Sequence, residues 1–196
     1  MELYIVRHGE TIGNLNHILQ GQLPGELTPL GFEQAHKLGL RLQNEEFQAI
    51  YCSDLNRCVQ TLSQITQFRS EPQPVFDPRL REKSAGEFEG QPVGTPERAA
   101  RAQGIAPAKF RPKGGENFAD VRARAAAFFQ ELRQTYLRSG AKVLVVSHAG
   151  WIAQFFSVVL GQARQIPKSK NTALTILRVE NRSVRVVLAN DTSHLS

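Results

Sequence analysis

The stretch Leu3–Thr11, with the sequence LYIVRHGET, begins with an apolar run and ends in a charged and polar segment. The apolar run does not alternate with polar residues, which is typical of a strand buried on both faces of a parallel sheet. Arg7 and His8 follow this strand directly and therefore lie at its carboxyl end. Because open α/β sheets bind ligands at that edge, the stretch predicts a strand that delivers an arginine and a histidine to a ligand site.

The same arrangement recurs twice along the chain. Ser147 and His148 follow the apolar strand pattern over 142–146, and a strand pattern over 49–52 leads into a helix whose first turn carries Arg57. Three strand ends therefore bring two histidines and two arginines to one edge of the sheet. Burying so many potential cations together is costly unless an anion lies between them. The pattern thus predicts an anion-binding site.

Helical and strand patterns alternate along the rest of the chain. A helix is predicted after Thr28-Pro29, which has the form of an N-cap followed by proline at the first helical position. Another helix is expected after an N-cap at Ser53 or Asp54. Further helices are predicted at 118–137 and 151–160, and two closing strands at 172–179 and 184–189. This succession predicts an α/β fold, a three-layer sandwich with a mainly parallel central sheet and helices on both faces.

With 196 residues the chain has the length of one domain, and we expect residues 1–196 to form a single one. A proline- and glycine-containing segment at about 91–115 interrupts the alternation, and we expect a lid-like excursion over one face. Its cations are either solvated or, as a hypothesis, meet a second phosphate or carboxylate of a small metabolite. They are Arg98, Arg101, Lys109, Arg111 and Lys113.

The formal net charge is +6, from 24 Lys and Arg against 18 Asp and Glu, and 17 of the basic residues are arginines. The planar guanidinium group pairs well with phosphate, so an anionic partner is expected. The basic residues are dispersed and no aromatic residues interleave them for base stacking, so we expect no nucleic-acid partner.

Compartment signals favour the cytoplasm. The start MELYIV lacks the basic region of a signal peptide, and the apolar run over 149–160 is too short to cross a bilayer. No membrane partner is therefore expected. Cys52 and Cys58 have neither a disulfide framework nor metal-ligand spacing, which is typical of buried thiols in a reducing cytosol.

Six segments of the chain carry a family resemblance. They read, in order, LYIVRHGETIGN, LQGQLPGELTPLGFEQA, SDLNRCVQT, LREKSAGEFEG, GGENFADVRARA and VLVVSHAGWI. In this order, and covering nearly the whole chain, they resemble the histidine phosphatase superfamily, also called the phosphoglycerate mutase-like family. The short RHGE string alone is only moderately specific, and the combination carries the resemblance.

The resemblance implies a role for each residue of the expected anion site. His8 would be the nucleophile that forms a phosphohistidine, while Arg7, Arg57 and His148 would surround the transferring phosphoryl group. Those roles suit them, because phosphoryl transfer depends mainly on positioning and electrostatics. Glu82 would protonate the leaving alkoxide and then activate the hydrolytic water.

Asn14, Gln20 and Gly21 match positions that line the family's phosphate or substrate pocket, and Ala149 would contact the substrate through its backbone N–H. Ala149 departs from the family pattern, which often has glycine after the second histidine. Glu87 and Glu89 stay open as alternatives to Glu82. The resemblance implies no metal and no cofactor, and nothing in the sequence indicates an oligomeric state.

The motifs are most similar to the phosphatase branch, which includes broad-specificity phosphatases and fructose-2,6-bisphosphatase-like enzymes. The expected reaction is hydrolysis of a small phosphate ester, such as a sugar phosphate, a sugar bisphosphate or a phosphoglycerate-like metabolite. The alternatives are a cofactor-dependent phosphoglycerate mutase, a phosphoprotein phosphatase and an inactive phosphate-binding scaffold. The segment after Glu82 lacks the mutases' tyrosine, and the intact His8, Glu82 and His148 disfavour a scaffold.

Overall fold

A computed structural model describes residues 1–67, 69–70, 72–161 and 169–196. Within these ranges the strands form one six-stranded sheet of order β3-β2-β4-β1-β5-β6. The strands are β1 (Glu2–Arg7), β2 (Ala49–Cys52), β3 (Val75–Phe76), β4 (Lys142–Ser147), β5 (Leu174–Val179) and β6 (Val184–Asp191). The α-helices are α1 (Ile12–Leu15), α2 (Pro29–Leu42), α3 (Asn56–Thr66), α4 (Thr95–Ala102), α5 (Phe118–Tyr136) and α6 (Ala149–Leu160).

The sheet is mainly parallel, as predicted. β4 pairs in parallel with both β1 and β2, β2 pairs in parallel with β3, and only β5 and β6 run antiparallel to their neighbours among the described strands. Arg7 pairs with Ser147 at the ends of β1 and β4. This register places His8 and His148, the residues that follow, next to each other at the carboxyl edge.

Helices cover both faces of the sheet, which confirms the three-layer prediction. Leu3 and Ile5 of β1 point into a core shared with α5 and α6, and Tyr4 and Val6 point into one shared with α2 and α3. Burying an apolar side chain of this size contributes about 1.5–3 kcal/mol. The central strands therefore form a fixed platform for the groups at their carboxyl ends.

Two local predictions are wrong, the N-cap of α3 and the start of β5. The N-cap of α3 is Leu55, without a side-chain cap, because the Ser53 hydroxyl lies against His148 and Asp54 pairs with Arg81. The first closing strand, β5, starts at Leu174 and not at Thr172 as predicted, because Thr172 has a φ of 53°, outside the extended region. The predicted Thr28 cap is confirmed by its hydrogen bond from the Gly31 N–H.

The segment 91–115 contains the helix α4, which its prolines and glycines obscured in the sequence. Its start is fixed by backbone hydrogen bonds from Leu19 to Gln91 and from Val93 to His17, of 2.8 and 3.0 Å. Its end is fixed by the buried Phe110, whose ring centroid lies 6.2 Å from that of Phe88. In the described ranges no helix is both long and apolar enough to cross a membrane.

Candidate active site

A cavity of about 320 Å³ opens at the carboxyl edge of β1 and β4, at the lower end of the size range of ligand pockets. His148 lies directly behind its wall, with its ring centroid 5.2 Å from that of His8. The other sequence-predicted site residues line the cavity: Arg7, His8, Asn14, Gln20, Gly21, Arg57, Glu82 and Ala149. The structure thus brings together groups that lie up to about 140 positions apart in the sequence.

His8 is held as a neutral imidazole with one free lone pair. Its Nδ1 lies 2.7 Å from the Gly9 carbonyl oxygen, which can only accept, so Nδ1 carries the proton and Nε2 does not. Burial holds the pKa of His8 well below its ordinary value, and the charges of Arg7 and Arg57 lower it further. An unprotonated Nε2 is what a nucleophilic histidine requires.

Arg7 lines the cavity and has one buried donor without an acceptor in the described part of the chain. Its Nη1 donates to the Ser169 carbonyl oxygen at 2.8 Å, while its buried Nε has no acceptor among the described residues. Leaving a buried donor unsatisfied costs about 1–3 kcal/mol, a cost that a bound anion would remove.

Arg57 is almost completely buried in the first turn of α3. Its Nη1 and Nη2 donate to the carbonyl oxygens of Leu23 and Gly21 at 2.9 and 2.7 Å, and its Nε donates to His148 Nδ1 at 3.1 Å. A guanidinium group has five N–H donors, so donors remain for an anion in the cavity. Burial lowers the pKa of Arg57, and a guanidinium group is not deprotonated in proteins.

In this structure His148 forms a hydrogen bond with Arg57. Because arginine only donates, His148 Nδ1 accepts, and Nε2 then carries the proton and lies 2.8 Å from Ser53 Oγ. Burial first, and Arg57 second, hold the pKa of His148 well below its ordinary value. Direct contact between His148 and a phosphoryl group stays a prediction. The hydroxyl of the preceding residue, Ser147, donates to the Leu80 carbonyl oxygen at 2.7 Å.

The Glu82 carboxylate lies at the N-terminus of α6. It accepts from the N–H groups of Gly150 and Trp151 at 3.0 and 3.1 Å, and from that of Lys83 at 2.8 Å. The first turn of a helix favours an anionic group in this position. A Cβ atom at Gly150 would lie 2.3 Å from Glu82 Oε1, so this approach depends on the glycine.

The two alternatives to Glu82 have other partners. Glu89 Oε1 accepts from Ser84 Oγ and from the N–H groups of Ala85 and Gln22, at 3.0–3.1 Å. Glu87 Oε1 accepts from the Lys113 N–H at 3.2 Å. Among the described residues that line the cavity, neither of these glutamates appears. Their place in the structure therefore favours Glu82 for the proton-transfer role.

Arg124 of α5 holds the segment that carries Glu82. It donates to the carbonyl oxygens of Arg79, Arg81 and Glu82 at 2.7, 2.5 and 3.0 Å, and its ion pair with Glu116 has an N–O distance of 3.0 Å. Sequence reasoning missed this arginine, because nothing in its local helical pattern distinguishes it from the exposed charges around it.

Asn171 orients Asn14 at the opposite side of the cavity. Asn14 Oδ1 accepts from the Thr11 N–H at 3.3 Å and from Asn171 Nδ2 at 3.2 Å, which leaves the Asn14 amide donors free for a ligand. The same Asn171 amide donates to the His8 carbonyl oxygen at 3.0 Å. Asn171 was also missed, since it lies 157 positions from Asn14 with no motif around it.

Gln20 and Gly21 line the cavity and also contact neighbouring residues. Gln20 Nε2 donates to Thr11 Oγ1 at 2.8 Å. Gly21 has a φ of 52°, and a Cβ atom there would lie 2.3 Å from Glu89 Oε1. Its small size thus makes room for Glu89, and its carbonyl oxygen accepts from Arg57.

The cations of the 91–115 segment lie elsewhere. None of the five lines the cavity in the part of the chain that the structure describes. Arg111 pairs with Asp120 at 2.6 Å, and Arg98 donates to Thr95 Oγ1 at 2.8 Å. The structure does not bring these residues to a second-anion site beside the phosphoryl group.

Comparison with known proteins places this geometry in context. Residues 3–192 match the model of the histidine phosphatase superfamily (branch 1). Over 136 residues the chain is 40% identical to fructose-2,6-bisphosphatase TIGAR of Xenopus laevis, covering 67% of this chain and 50% of that protein. Over 167 residues it is 35% identical to the probable phosphoglycerate mutase GpmB of Yersinia pestis (strain Pestoides F), covering 82% and 75%.

Among solved structures, Bacillus stearothermophilus YhfR superposes with a TM-score of 0.87 at 30% identity, covering 100% of this chain and 99% of that one. The chain spans about half the length of the TIGAR protein that it matches.

Proposed function

This chain belongs to the histidine phosphatase superfamily, and we propose that it hydrolyses small phosphate monoesters through a phosphohistidine on His8. The observation that carries the proposal is the buried His8 with its proton fixed on Nδ1, next to the unfilled Nε donor of Arg7. A nucleophile and an anion receptor share one cavity.

The cycle has two steps. His8 Nε2 forms a bond to phosphorus while the bond to the ester oxygen breaks, and Glu82, which must enter this step protonated, gives its proton to the departing alkoxide and becomes a carboxylate. Water then attacks phosphorus, Glu82 takes its proton, and the phosphorus–nitrogen bond breaks to release phosphate and neutral His8. Arg7, Arg57 and the amide of Asn14 stabilise the charge on the phosphoryl oxygens throughout.

The positions of these groups support the roles assigned to them. Arg57 is fixed by two carbonyl oxygens and by His148, so it needs no rearrangement when the phosphoryl group enters. Glu82 lies on the neighbouring loop, held at the first turn of α6. Preorganised charges of this kind account for most of the acceleration in phosphoryl transfer.

The test compares hydrolysis of p-nitrophenyl phosphate by the wild-type protein and by His8→Ala, without added divalent metal. We expect activity in the wild type and its loss by at least about 1,000-fold in His8→Ala, as for removal of other catalytic nucleophiles. Activity that persists in His8→Ala, or that depends strictly on a divalent cation, would contradict the phosphohistidine mechanism.

A phosphoglycerate mutase is the second candidate, favoured by the similarity to GpmB. A panel of phosphorylated metabolites, assayed with and without 2,3-bisphosphoglycerate as a primer, separates the two. Primer-independent release of phosphate supports the phosphatase, whereas primer-dependent isomerisation of phosphoglycerate supports the mutase.

The proposal also covers the domain organisation and the cellular location of the protein. Residues 1–196 act as one domain, in which the segment 91–115 shapes the entrance to the cavity. Cys52 and Cys58 are both free and buried, which supports a cytoplasmic location with reduced thiols.

A further inference from the structure

The cavity has a half that the two chemical steps do not use. It consists of the lining residues outside the proposed phosphoryl site, which are left to contact the group esterified to the phosphate. Six of its residues are apolar, namely Ile18, Leu19, Ala85, Val93, Pro96 and Phe118, and the charged ones are Lys83 and Glu97.

The apolar part of this wall is preformed. Leu19 donates to Gln91 at 2.8 Å and accepts from Gly90 at 2.9 Å, and Val93 donates to His17 at 3.0 Å, all through backbone groups. These hydrogen bonds join the loop before Gln20 to the start of the 91–115 segment as a short ladder. A ligand therefore meets an apolar surface without any ordering of the chain.

The two charges of this half are not equivalent. Lys83 Nζ donates to the Glu116 carbonyl oxygen at 3.2 Å and lies 5.7 Å from the centre of the Phe118 ring, so its charge is held against the protein. Glu97 is exposed on α4 and takes part in none of the salt bridges formed by the described residues. Lys83 therefore keeps its positive charge in a fixed place, whereas the Glu97 carboxylate is not held by a salt bridge among the described residues.

We infer that this half of the cavity receives an uncharged, mainly apolar alcohol group, and that Glu97 disfavours esters with a second anionic group. The inference rests on the proposed phosphatase activity of the same cavity. Arg7 and Arg57 are engaged by the single phosphoryl group that reacts. A second phosphate or carboxylate in this half would be repelled by the Glu97 carboxylate, and among the described lining residues of this half only Lys83 could offset that repulsion.

The test for Glu97 uses phenyl phosphate and 4-carboxyphenyl phosphate, which differ by one negative charge. The measured quantity is the ratio of kcat/KM for the carboxylated ester to that for the neutral ester, at low ionic strength. Relative to the wild type, we expect the ratio to rise roughly threefold in Glu97→Gln and roughly tenfold in Glu97→Lys. Comparing ratios between variants cancels the different intrinsic reactivities of the two esters.

The matched control is Glu46→Lys, which makes the same charge change at an exposed glutamate outside the cavity lining. Its ratio should stay that of the wild type, because solvent and salt screen a remote charge. A ratio that changes equally in Glu46→Lys and Glu97→Lys would overturn the role of Glu97.

The apolar wall is tested with n-alkyl phosphates from methyl to butyl. Each methylene that leaves water should raise kcat/KM about two- to fourfold in the wild type. The rise should be smaller in Val93→Ser and unchanged in Val187→Ser, a control at a valine of similar exposure (57% and 53%) on β6.

The outcomes separate the inference from the proposed function. If His8-dependent hydrolysis is present but neither the Glu97 variants nor the alkyl length changes the kcat/KM ratios, the inference is wrong and the phosphatase stands. If no ester is hydrolysed in a His8-dependent manner, the proposed function is wrong and the inference falls with it.

Discussion

Asn171 Nδ2 lies 3.2 Å from Asn14 Oδ1 and 3.0 Å from the His8 carbonyl oxygen, so one amide holds both a proposed phosphate ligand and the backbone of the proposed nucleophile. The two asparagines lie 157 positions apart in the sequence. Asn14 is in α1, and Asn171 lies just before β5. The Asn14 donors face the cavity only because Asn171 and the Thr11 N–H occupy the Asn14 oxygen.

We therefore expect Asn171→Asp to be worse than Asn171→Ala. An aspartate only accepts, so the Asn14 amide would turn its donors toward position 171 and its oxygen toward the phosphoryl group. Losing both hydrogen bonds of the Asn171 amide in Asn171→Ala should lower kcat/KM about three- to tenfold, and Asn171→Asp should lower it at least about 30-fold.

The control for the added charge is Asn44→Asp, an exposed residue outside the cavity lining. Its kcat/KM should match the wild type. Equal values in Asn171→Asp and Asn171→Ala would show that Asn171 does not set the orientation of Asn14.

The approach of Glu82 to α6 should depend on Gly150. A methyl group at this position would lie 2.3 Å from Glu82 Oε1 and displace the carboxylate from the helix N-terminus. We expect Gly150→Ala to lower kcat about tenfold with little change in KM, as for an interaction made in the transition state.

A double-mutant cycle with Glu82→Gln tests the cause. If Gly150→Ala acts by moving Glu82, its effect on kcat should nearly vanish in the Glu82→Gln background. Additive effects would place the cause elsewhere, such as in the stability of α6.

Arg124 should matter for both activity and stability, because it donates to three carbonyl oxygens of the segment before and at Glu82. Lysine keeps the charge but cannot supply the planar fork of donors. We expect Arg124→Lys to lower kcat about tenfold and Tm by about 4–8 °C, since losing 1 kcal/mol costs about 2–4 °C at this chain length.

The matched control is Arg122→Lys on the same helix, where the arginine donates to Gln154 Oε1 at 2.8 Å. This change should leave kcat unaltered and lower Tm by about 2 °C or less. Equal losses of kcat in the two variants would mean that Arg124 has no special role at Glu82.

Sequence patterns predicted the groups that lie in local motifs and missed those set by tertiary contacts. Arg7 ends β1, and His8 and His148 directly follow β1 and β4, so the strand pattern alone places them at one edge of the sheet. Asn171 and Arg124 have ordinary surroundings in the sequence, and only the packing of β5 and α5 against the site gives them their partners.

The N-cap of α3 was also predicted wrongly because of a tertiary contact. Ser53 has the right residue type and position for a cap, but its hydroxyl contacts His148, a residue that comes 95 positions later. Local hydrogen-bonding preference was overridden there by a contact that no window of sequence contains. The missed helix α4 has the opposite cause, since Pro96 fits the first turn of a helix but was read as a break.

The buried histidines predict how stability depends on pH. The pKa values of His8 and His148 are held well below the ordinary value near 6.5, and that of His194 is lowered to about 4 by burial. Below about pH 6.5 the unfolded chain binds protons that the folded chain does not. The free energy of unfolding should therefore be highest above pH 6.5 and fall as the pH drops, by up to about 1.4 kcal/mol per pH unit for each fully buried histidine.

Urea denaturation at several pH values between 7.5 and 5 measures this slope. The variant His194→Gln should reduce it, because one of the three groups no longer titrates. A free energy of unfolding that stays constant, or that rises as the pH falls, would contradict the neutral state assigned to these histidines.

The central claim is that His8 carries the phosphoryl group during turnover. The most direct measurement is rapid alkaline quenching of the protein with p-nitrophenyl phosphate, followed by mass spectrometry of the peptide that contains His8. The account predicts an acid-labile, alkali-stable phosphoryl group on His8 that is absent in His8→Ala. A phosphoryl group on another residue, or full turnover with none on His8, would contradict it.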